Sequence, residues 1–333
     1  MFRGASFCLD GQEMHLVDIR NLSVSFPQHD GIVQAVRGVS LAVEAGESVG
    51  IVGESGSGKS VTCMAVLRLL REPPSKISAD RIELDGIDML KATRRQLTSI
   101  RGRVAAMVFQ DPMTAFDPVF TIGHQIVETI RAHRDVTLAV AKAEAVSLLE
   151  RVKIKTPEAI LNSYPHQLSG GMLQRALIAM ALSSRPKILF ADEPTTALDV
   201  TIQAQILALI KDLQAELGMG LIMVTHDLGV VAETVDRVVV MYGGRVMDEG
   251  PVQDIFDAPA HPYTRALLAS MPGQTAGRHR VTEIKGASPN PANPPTGCPF
   301  HPRCDLAVAI CVSDTPAFAA IAPNRHAACW GLQ

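Results

Sequence analysis

One short glycine-rich stretch constrains this chain more than any other feature of its sequence. Residues 51–60 read IVGESGSGKS and match the phosphate-binding pattern G-x-x-x-x-G-K-[ST]. The stretch follows a short apolar run typical of a buried strand and precedes a helical pattern over 61–70, which is the context this motif requires. We therefore predict a strand, a loop and a helix that together hold the phosphates of a nucleotide.

The residues of this loop have distinct chemical uses. Glycines allow the backbone to turn so that successive N–H groups point at one anion, and the N-terminus of the following helix adds a positive dipole end. Lys59 is expected to reach the β- and γ-phosphates, and the hydroxyl of Ser60 to bind Mg²⁺. The predicted nucleotide-binding residues of the loop are Gly53, Glu54, Ser55, Gly56, Ser57, Gly58, Lys59, Ser60 and Val61.

Two acidic residues at the end of another apolar run predict the second half of the site. The stretch KILFADEP, at 187–194, carries Asp192 to the carboxyl end of a buried strand, where open α/β sheets bind ligands. Asp192 is expected to hold Mg²⁺, and Glu193 to orient and deprotonate the attacking water. Two such carboxylates could instead form a solvated turn, but the lysine loop in the same chain favours the catalytic interpretation.

Apolar periodicity indicates a parallel sheet covered by helices on both faces. Continuous apolar runs at 49–52, 188–191, 221–225 and 238–242 predict buried strands, and helical patterns separate most of them. Alternating runs after Leu16 and around the turn residues Asp85 and Gly86 predict half-exposed strands. Between 114 and 168 the pattern is helical throughout, with Thr156 as the expected N-cap of a helix that begins at Pro157.

Composition limits the compartment and the class of partner. The chain has 333 residues, of which 47% are hydrophobic and 20% charged, as is typical of a globular protein. Its net charge of −3 and its aromatic content of 4% argue against a nucleic-acid partner. The sequence has no apolar run of about 18 residues and no secretory signal, so we expect a cytosolic chain that reaches a membrane through a partner.

A third motif indicates a known family. The stretch HQLSGGMLQR, at 166–175, resembles the signature motif of the ATP-binding cassette (ABC) family, and its position between the lysine loop and the acidic strand is the family's order. Ser169 can cap a helix that begins at Gly170, and Gly170 and Gly171 leave the helix N-terminus open to a phosphate. The resemblance implies that this phosphate belongs to ATP held by an opposed subunit, so that two cassettes enclose the nucleotide head to tail.

Four further positions match the family's motifs in order along the chain. The resemblance implies that Gln110 senses Mg²⁺ and the attacking water, and that His226 contacts the γ-phosphate. It also implies that Asp199 contacts the opposite subunit and that Phe26 stacks on adenine. A phenylalanine at the end of a strand can instead be a core residue.

The resemblance narrows to one subgroup of the family. The stretches GESGSGKS, YPHQLSGGM and VTHDLGVVAE are similar to those in the ATPase subunits of bacterial oligopeptide, dipeptide and nickel importers. This implies an α/β fold with an ABC-type P-loop NTPase core, an antiparallel β subdomain, a helical insertion and a small loop-rich C-terminal extension. We predict an N-terminal tail at 1–13, the nucleotide-binding domain at 14–250 with its helical subdomain at about 114–168, and the extension at 251–333.

The extension contains a cluster of cysteines. Five, six and seventeen residues separate successive members of the set Cys298, Cys304, Cys311 and Cys329. A structural zinc site usually contains a pair about two to four residues apart, and this segment has no such pair. The resemblance implies a [4Fe–4S] cluster on these four thiolates. Zinc, with His301 or His326 as a ligand, and reduced or disulfide-linked structural cysteines are the alternatives.

The resemblance also implies a function and a set of partners. The chain would be the ATP-hydrolysing subunit of a bacterial ABC importer, peripheral on the cytoplasmic face of the inner membrane, and would energise uptake of dipeptides or oligopeptides. One set of motifs makes one cassette, so the expected partners are a second, related ATPase subunit, two transmembrane permeases and an extracytoplasmic solute-binding protein. The alternatives are a soluble ABC-type accessory ATPase, for example of phosphonate metabolism, and an importer of nickel chelates or glutathione-like solutes.

Overall fold

The computed structural model describes residues 15–29, 31–196, 198–271 and 284–332. The tail predicted at 1–13 therefore lies outside the described residues. The strands in chain order are β1 (Val17–Gln28), β2 (Gly31–Val43), β3 (Ser48–Val52), β4 (Lys76–Ser78), β5 (Arg81–Leu84), β6 (Ile87–Asp88), β7 (Ala105–Val108), β8 (Ile188–Asp192), β9 (Gly220–Thr225), β10 (Arg237–Tyr242), β11 (Arg245–Pro251), β12 (Ala319–Ala322) and β13 (Arg325–Ala327).

Helices connect most of these strands. In chain order they are α1 (Lys59–Val66), α2 (Arg94–Arg103), α3 (Pro112–Ala115), α4 (Ile122–His133), α5 (Leu138–Arg151), α6 (Pro157–Leu161), α7 (Gly170–Leu182), α8 (Val200–Leu217), α9 (Leu228–Thr234), α10 (Val252–Asp257), α11 (Pro262–Ala269) and α12 (Ile310–Ser313), with short 3₁₀ helices at Pro165–Gln167, His301–Arg303 and Trp330–Leu332. Across the described ranges, none of these helices combines the length and the apolar character needed to cross a membrane.

The strands of the described residues form two sheets. The smaller is antiparallel in the order β2, β1, β5, β6, and β4 also pairs with β1. The larger has the order β12, β13, β11, β10, β3, β9, β8, β7, and its strands from β10 to β7 run parallel. Asp85 and Gly86 both have positive φ and make the predicted tight turn between β5 and β6.

The larger sheet is buried on both faces, which explains its continuous apolar runs. In β8, Leu189 and Ala191 face one hydrophobic core, which the helices help to form, whereas Ile188 and Phe190 face a second core shared with the antiparallel sheet. A strand covered on both sides has no position that favours a polar side chain. The four strands predicted from such runs are β3, β8, β9 and β10, each with bounds within a residue of those expected.

The region between β7 and β8 is helical, as predicted, although one local detail differs from expectation. Thr121 and Thr137 cap α4 and α5 through their hydroxyls. Thr156 occupies the N-cap position of α6, but its hydroxyl makes no capping hydrogen bond.

The helix that follows the glycine-rich loop, α1, is shorter than predicted. The sequence pattern predicts it over 61–70, but it ends at Val66, because the backbone at Arg68 has a left-handed φ of 54° that an α-helix cannot contain.

The C-terminal extension is joined to the edge of the larger sheet. β13 pairs with β11, and a buried ion pair connects Arg325 to Asp248 at 3.2 Å. Phe300 and Tyr263 belong to the same hydrophobic core as the central strands. The extension thus packs beside β10 and β3, close to the loop that follows β3. The boundary predicted after Gly250 stays a prediction, since β11 continues across it to Pro251.

Candidate nucleotide-binding site

Four parallel strands end at one edge of the larger sheet and bring the predicted functional residues together. The glycine-rich loop follows β3, and Gln110 lies two residues after β7. Asp192 is the last residue of β8, and His226 directly follows β9. Because parallel strands have their carboxyl ends at the same edge, residues distant in sequence meet there.

The lysine of the loop is buried and held by the loop itself. Lys59 is 5% exposed, and its Nζ donates to the carbonyl oxygens of Gly53 at 2.8 Å and Glu54 at 3.0 Å. Burial lowers the pKa of Lys59, although the carboxylates of Glu193, Asp192 and Glu54 oppose that shift. An ammonium group thus lies at the centre of the predicted phosphate cradle, at the start of α1.

The remaining loop residues line this cradle. Ser55 and Gly56 are exposed, and Glu54, Ser60 and Val61 are half-buried. The hydroxyl of Ser57 is buried and has no hydrogen-bond partner among the described residues. Buried polar groups are normally hydrogen-bonded, so this hydroxyl is suited to bind a ligand. Gly53, Ser57 and Gly58 are buried.

Gly53 is required by both its backbone conformation and its surroundings. Its φ is +152°, and an added Cβ would lie 2.1 Å from the carbonyl oxygen of Met241. Gly56 has a φ of +78°, but an added Cβ there would meet no atom within 4 Å. A substitution at Gly56 therefore introduces only backbone strain, whereas one at Gly53 also introduces a steric clash.

We expect Gly53→Ala to destabilise the protein more than Gly56→Ala. Gly56→Ala should lower the free energy of unfolding by about 1 kcal/mol, the cost of a left-handed conformation for alanine. Gly53→Ala adds the displacement of the β10 backbone and should cost about 3 kcal/mol. Denaturant unfolding of the two variants measures the difference, and equal losses would contradict this account of the loop.

Glu193 is the point at which the catalytic candidates meet. Its Oε2 accepts hydrogen bonds from Nε2 of Gln110 at 3.0 Å and from Oγ1 of Thr196 at 2.9 Å. Its Oε1 lies 3.3 Å from Nδ1 of His226. Glu193 also has a left-handed φ of 45°, an unfavourable conformation of the kind that concentrates at functional sites.

Asp192 is linked to the loop through a serine. Oγ of Ser60 donates to Oδ1 of Asp192 at 2.8 Å, so the two predicted Mg²⁺ ligands are adjacent. Burial and the neighbouring charge of Glu193 raise the pKa of Asp192, against the effects of Ser60 and Lys59. A hydroxyl beside a buried carboxylate is an oxygen donor set that fits Mg²⁺.

The predicted signature motif forms the exposed tip of α7. Oγ of Ser169 accepts a hydrogen bond from the backbone N–H of Met172, as expected for an N-cap. Gly170 and Gly171 form the first turn and pack against Leu198 and Ile202. The tip of α7 makes no hydrogen bond with the chain's own glycine-rich loop in the part of the chain that the structure describes.

Two other predicted residues have clear local environments. Asp199 is the N-cap of α8, where its Oδ1 accepts from the backbone N–H of Ile202 at 2.9 Å. Phe26 lies opposite Val33 in the antiparallel sheet, is half-buried and packs against the core between the two sheets. The contacts predicted for these residues, with an opposite subunit and with adenine, stay predictions.

The four C-terminal cysteines surround one cavity. The thiols of Cys298, Cys304, Cys311 and Cys329 are free, and the residues line a cavity of about 180 Å³ together with His301. Burial raises the pKa of Cys298 to about 11, and the three other thiols add to that shift. Nowhere in the described ranges do three or more His, Cys, Asp or Glu side chains form a group that could hold a metal ion. The side-chain placement therefore gives no support to the predicted metal centre.

The sequence analysis missed several residues at this edge of the sheet. Thr196 has a weak local signal, since it lies three residues after Glu193 and can return a hydrogen bond to it. Tyr263 and Arg303 had none, because they contact Glu54 from 209 and 249 residues away in the sequence. Such contacts follow from tertiary packing and not from any local pattern.

Comparison with known proteins identifies the family. Residues 36–196 match the family model described as ABC transporter. The chain is 45% identical over 318 residues to the oligopeptide transport ATP-binding protein OppD of Bacillus subtilis, covering 95% of this chain and 89% of that protein. It is 43% identical over 316 residues to the dipeptide transport ATP-binding protein DppD of Escherichia coli, covering 95% and 96%. The chain belongs to the ABC transporter ATP-binding protein family.

Two further comparisons agree with this assignment. Residues 247–311 match the family model described as oligopeptide/dipeptide transporter, C-terminal region. A solved dimeric structure of the ATP-binding cassette MJ0796, in a post-hydrolysis state bound to ADP and Pi, has a TM-score of 0.63 and 29% sequence identity, covering 71% of this chain and 98% of that one. The fold predicted for this chain, an ABC-type P-loop NTPase, is confirmed. This chain is therefore an ATPase.

Proposed function

We propose that this cassette hydrolyses ATP to energise the uptake of dipeptides or oligopeptides by a bacterial ABC importer. The observation that carries the proposal is the match of residues 247–311 to the C-terminal region of oligopeptide and dipeptide transporters, in a chain similar along almost its whole length to OppD and DppD. The name of each relative includes peptide transport and ATP binding. The arrangement of residues at the sheet edge supplies the chemistry that such a subunit needs.

The glycine-rich loop would grip the triphosphate. Its backbone N–H groups and the N-terminus of α1 favour an anion, and Lys59 would exchange its carbonyl partners for the β- and γ-phosphates. Ser60 and Asp192 would hold Mg²⁺, which when bound neutralises developing charge on the phosphate oxygens. Phe26 would stack on the adenine ring.

Glu193 would act as the general base for hydrolysis. The carboxylate takes a proton from water, the water oxygen attacks the γ-phosphorus, and the bond between this phosphorus and the β–γ bridging oxygen breaks to leave ADP. Gln110 and Thr196 hold the carboxylate by donating to Oε2, so that Oε1 is available to the water. His226, beside Oε1, would contact the γ-phosphate.

A second cassette would complete the site. The tip of α7 at Ser169, Gly170 and Gly171 is a helix N-terminus capped by a serine, and among the described residues no hydrogen bond joins it to the chain's own loop. It would bind the γ-phosphate of ATP held by the companion, while the companion's equivalent tip binds ATP held here. Asp199 lies beside this tip at the start of α8 and would contact the companion. The related cassette MJ0796 is described as a dimer.

The remaining partners follow from the proposed transport role. The companion would be a related but distinct ATPase subunit, and the pair would bind two transmembrane permeases at the cytoplasmic face of the inner membrane. An extracytoplasmic solute-binding protein would deliver the peptide, and no nucleic acid would take part. ATP-driven closure and reopening of the two cassettes would shift the permeases between inward- and outward-facing states.

Purification of the tagged full chain from the membrane fraction tests this function. We expect a second cassette and two permeases to co-purify, and the complex in lipid vesicles to accumulate a labelled dipeptide or tripeptide only when ATP is present. Co-purification with soluble enzymes of phosphonate metabolism would contradict the proposal. Accumulation of nickel chelates or glutathione in place of peptides would be consistent with the ATPase role but would contradict the proposal that the cargo is a peptide.

We also propose that the four C-terminal cysteines hold a [4Fe–4S] cluster. The support is the donor set itself, since four free thiols surround one cavity and this cluster type takes four cysteine thiolates. A bound cluster would tie together a segment that has little regular structure, as metal sites do in other small scaffolds. The spacing of the four cysteines lacks the close pair that a structural zinc site usually contains, which favours a cluster over a single zinc ion.

Purification without oxygen should give brown protein with a broad visible absorbance shoulder and about four iron atoms per chain. Cys304→Ser should lower the iron content, whereas Cys63→Ala, at a buried thiol in α1, should leave it unchanged. Iron and sulfide analysis with absorbance spectroscopy provides the measurement. Colourless, iron-free protein, or protein that contains only zinc, would refute the cluster.

A further inference from the structure

The side chain of Glu54 is held from outside the glycine-rich loop. Nη1 and Nη2 of Arg303 donate to Oε2 and Oε1 of Glu54 at 2.6 and 3.1 Å, a two-pronged ion pair. Oγ of Ser288 donates to Oε2 at 2.9 Å. The backbone N–H of Glu54 donates to the hydroxyl oxygen of Tyr263 at 2.9 Å. All three partners belong to the C-terminal extension.

Arg303 is fixed in one orientation by its surroundings. Its side chain is 6% exposed, and its guanidinium also donates to the carbonyl oxygens of Ile284 and Lys285 and to the hydroxyl of Tyr242. These contacts and the two to Glu54 use all five N–H donors of the side chain. Arg303 therefore acts as a rigid clamp and not as a mobile surface charge.

The base of this clamp is an aromatic cluster in the core. The rings of Tyr242, Tyr263 and Phe300 have centroids 4.5 to 5.3 Å apart, and each of these residues is at most 2% exposed. Tyr242 ends β10, which lies next to β3, and Phe300 lies three residues before Arg303. The extension is thus anchored in the same core as the strand that carries the loop.

Glu54 needs such a partner because it puts a carboxylate inside a loop that binds an anion. Its carboxylate is close enough to Lys59 to influence the pKa of that ammonium. Left unpaired, the same charge would repel a triphosphate and would compete for Lys59. Paired with Arg303, the carboxylate has its charge balanced by the guanidinium.

We propose that Arg303, with Tyr263, is a positioning residue for ATP binding: the C-terminal extension holds Glu54 and thereby sets the conformation and charge of the phosphate-binding loop. The proposal rests on the proposed role of this loop as the ATP site. Both residues lie within 247–311, the segment that matches the oligopeptide/dipeptide transporter model. That segment therefore acts on the nucleotide site of its own chain.

The test is an ATP titration of the full chain with Mg²⁺. Arg303→Gln should weaken ATP binding roughly tenfold to hundredfold, because it leaves a half-buried carboxylate without its cation. At saturating ATP, kcat of the assembled complex should change less than twofold, since Arg303 does not contact the reacting atoms. Glu54→Gln in the Arg303→Gln background should restore affinity to within about threefold, by removing the unpaired charge.

Two reference variants separate the outcomes. Lys285→Gln keeps the backbone carbonyl that accepts from Arg303 and removes only an exposed side-chain ion pair with Asp305, so it should leave ATP affinity unchanged. Lys59→Ala should abolish binding; if it does not, the loop is not the ATP site and the proposed function fails. If Lys59→Ala abolishes binding but Arg303→Gln binds ATP normally, or if Glu54→Gln does not restore it, the positioning role is overturned.

A milder variant keeps the test decisive if Arg303→Gln does not fold. Tyr263→Phe removes one oxygen atom and leaves the aromatic cluster in place, so the backbone N–H of Glu54 loses its acceptor. We expect a several-fold weaker affinity for ATP at unchanged kcat. An affinity equal to that of the unaltered chain would contradict the proposal.

Discussion

We expect the Glu193→Gln cassette to bind ATP with full affinity but not to hydrolyse it. The amide is close in size to the carboxylate and can still accept hydrogen bonds from Gln110 and Thr196, so the geometry at the end of β8 should persist. It cannot accept a proton from water, so kcat of the assembled complex should fall by about 100-fold or more. Steady-state phosphate release and equilibrium ATP binding, measured on the same preparation, provide the two numbers.

A matched acid at the surface is the control for this variant. Glu216 forms an exposed ion pair with Arg151, away from the carboxyl ends of the parallel strands. Glu216→Gln should leave both binding and turnover unchanged. If Glu193→Gln hydrolyses ATP at the rate of the unaltered complex, Glu193 is not the base and the proton must go to another group.

Replacing Lys59 by alanine should remove nucleotide binding itself. The ammonium is buried in the loop and would contact the β- and γ-phosphates, so its loss leaves the triphosphate without its central counter-charge. Truncation of one partner in such a buried charge pair costs about 3–5 kcal/mol, which corresponds to at least a hundredfold weaker affinity. Isothermal titration with ATP and Mg²⁺ measures the change.

Lys187→Ala is the matched control for the lysine variant. Lys187 lies just before β8, at the opposite end of that strand from Asp192, and forms an exposed ion pair with Asp85. Its removal should leave ATP affinity unchanged. Equal affinity of the Lys59→Ala and Lys187→Ala variants would show that the glycine-rich loop does not hold the phosphates.

Much of this site was predictable because the sequence marks where its buried strands end. A continuous apolar run followed by Asp192 and Glu193 gives both the buried strand and the residues at its carboxyl end, and parallel pairing brings such ends together. The proximity of Gln110 and His226 to Glu193 came from family resemblance and order along the chain. The structure shows the atoms that meet, since one carboxylate is shared by both side chains.

The features that could not be predicted depend on contacts between distant parts of the chain. No local pattern signals that Arg303 reaches Glu54, or that β13 extends the sheet beside β11. The early end of α1 has a similar origin, because apolar periodicity continues through Leu70 while the backbone turns at Arg68. Thr156 has the right residue type and position for a cap, yet its hydroxyl makes no capping hydrogen bond.

The central claim is that the loop of this chain and the α7 tip of a companion grip one ATP molecule between them. The direct measurement is nucleotide retention by the assembled complex of two cassettes and permeases, made with Glu193→Gln, incubated with Mg²⁺ and labelled ATP and then freed of unbound nucleotide. We expect the complex to retain ATP. Retention at this site should be abolished by Lys59→Ala in this chain, or by replacing with arginine the companion's serine that corresponds to Ser169. Release of all ATP from a complex that keeps both cassettes, or retention by this chain alone, would contradict the account.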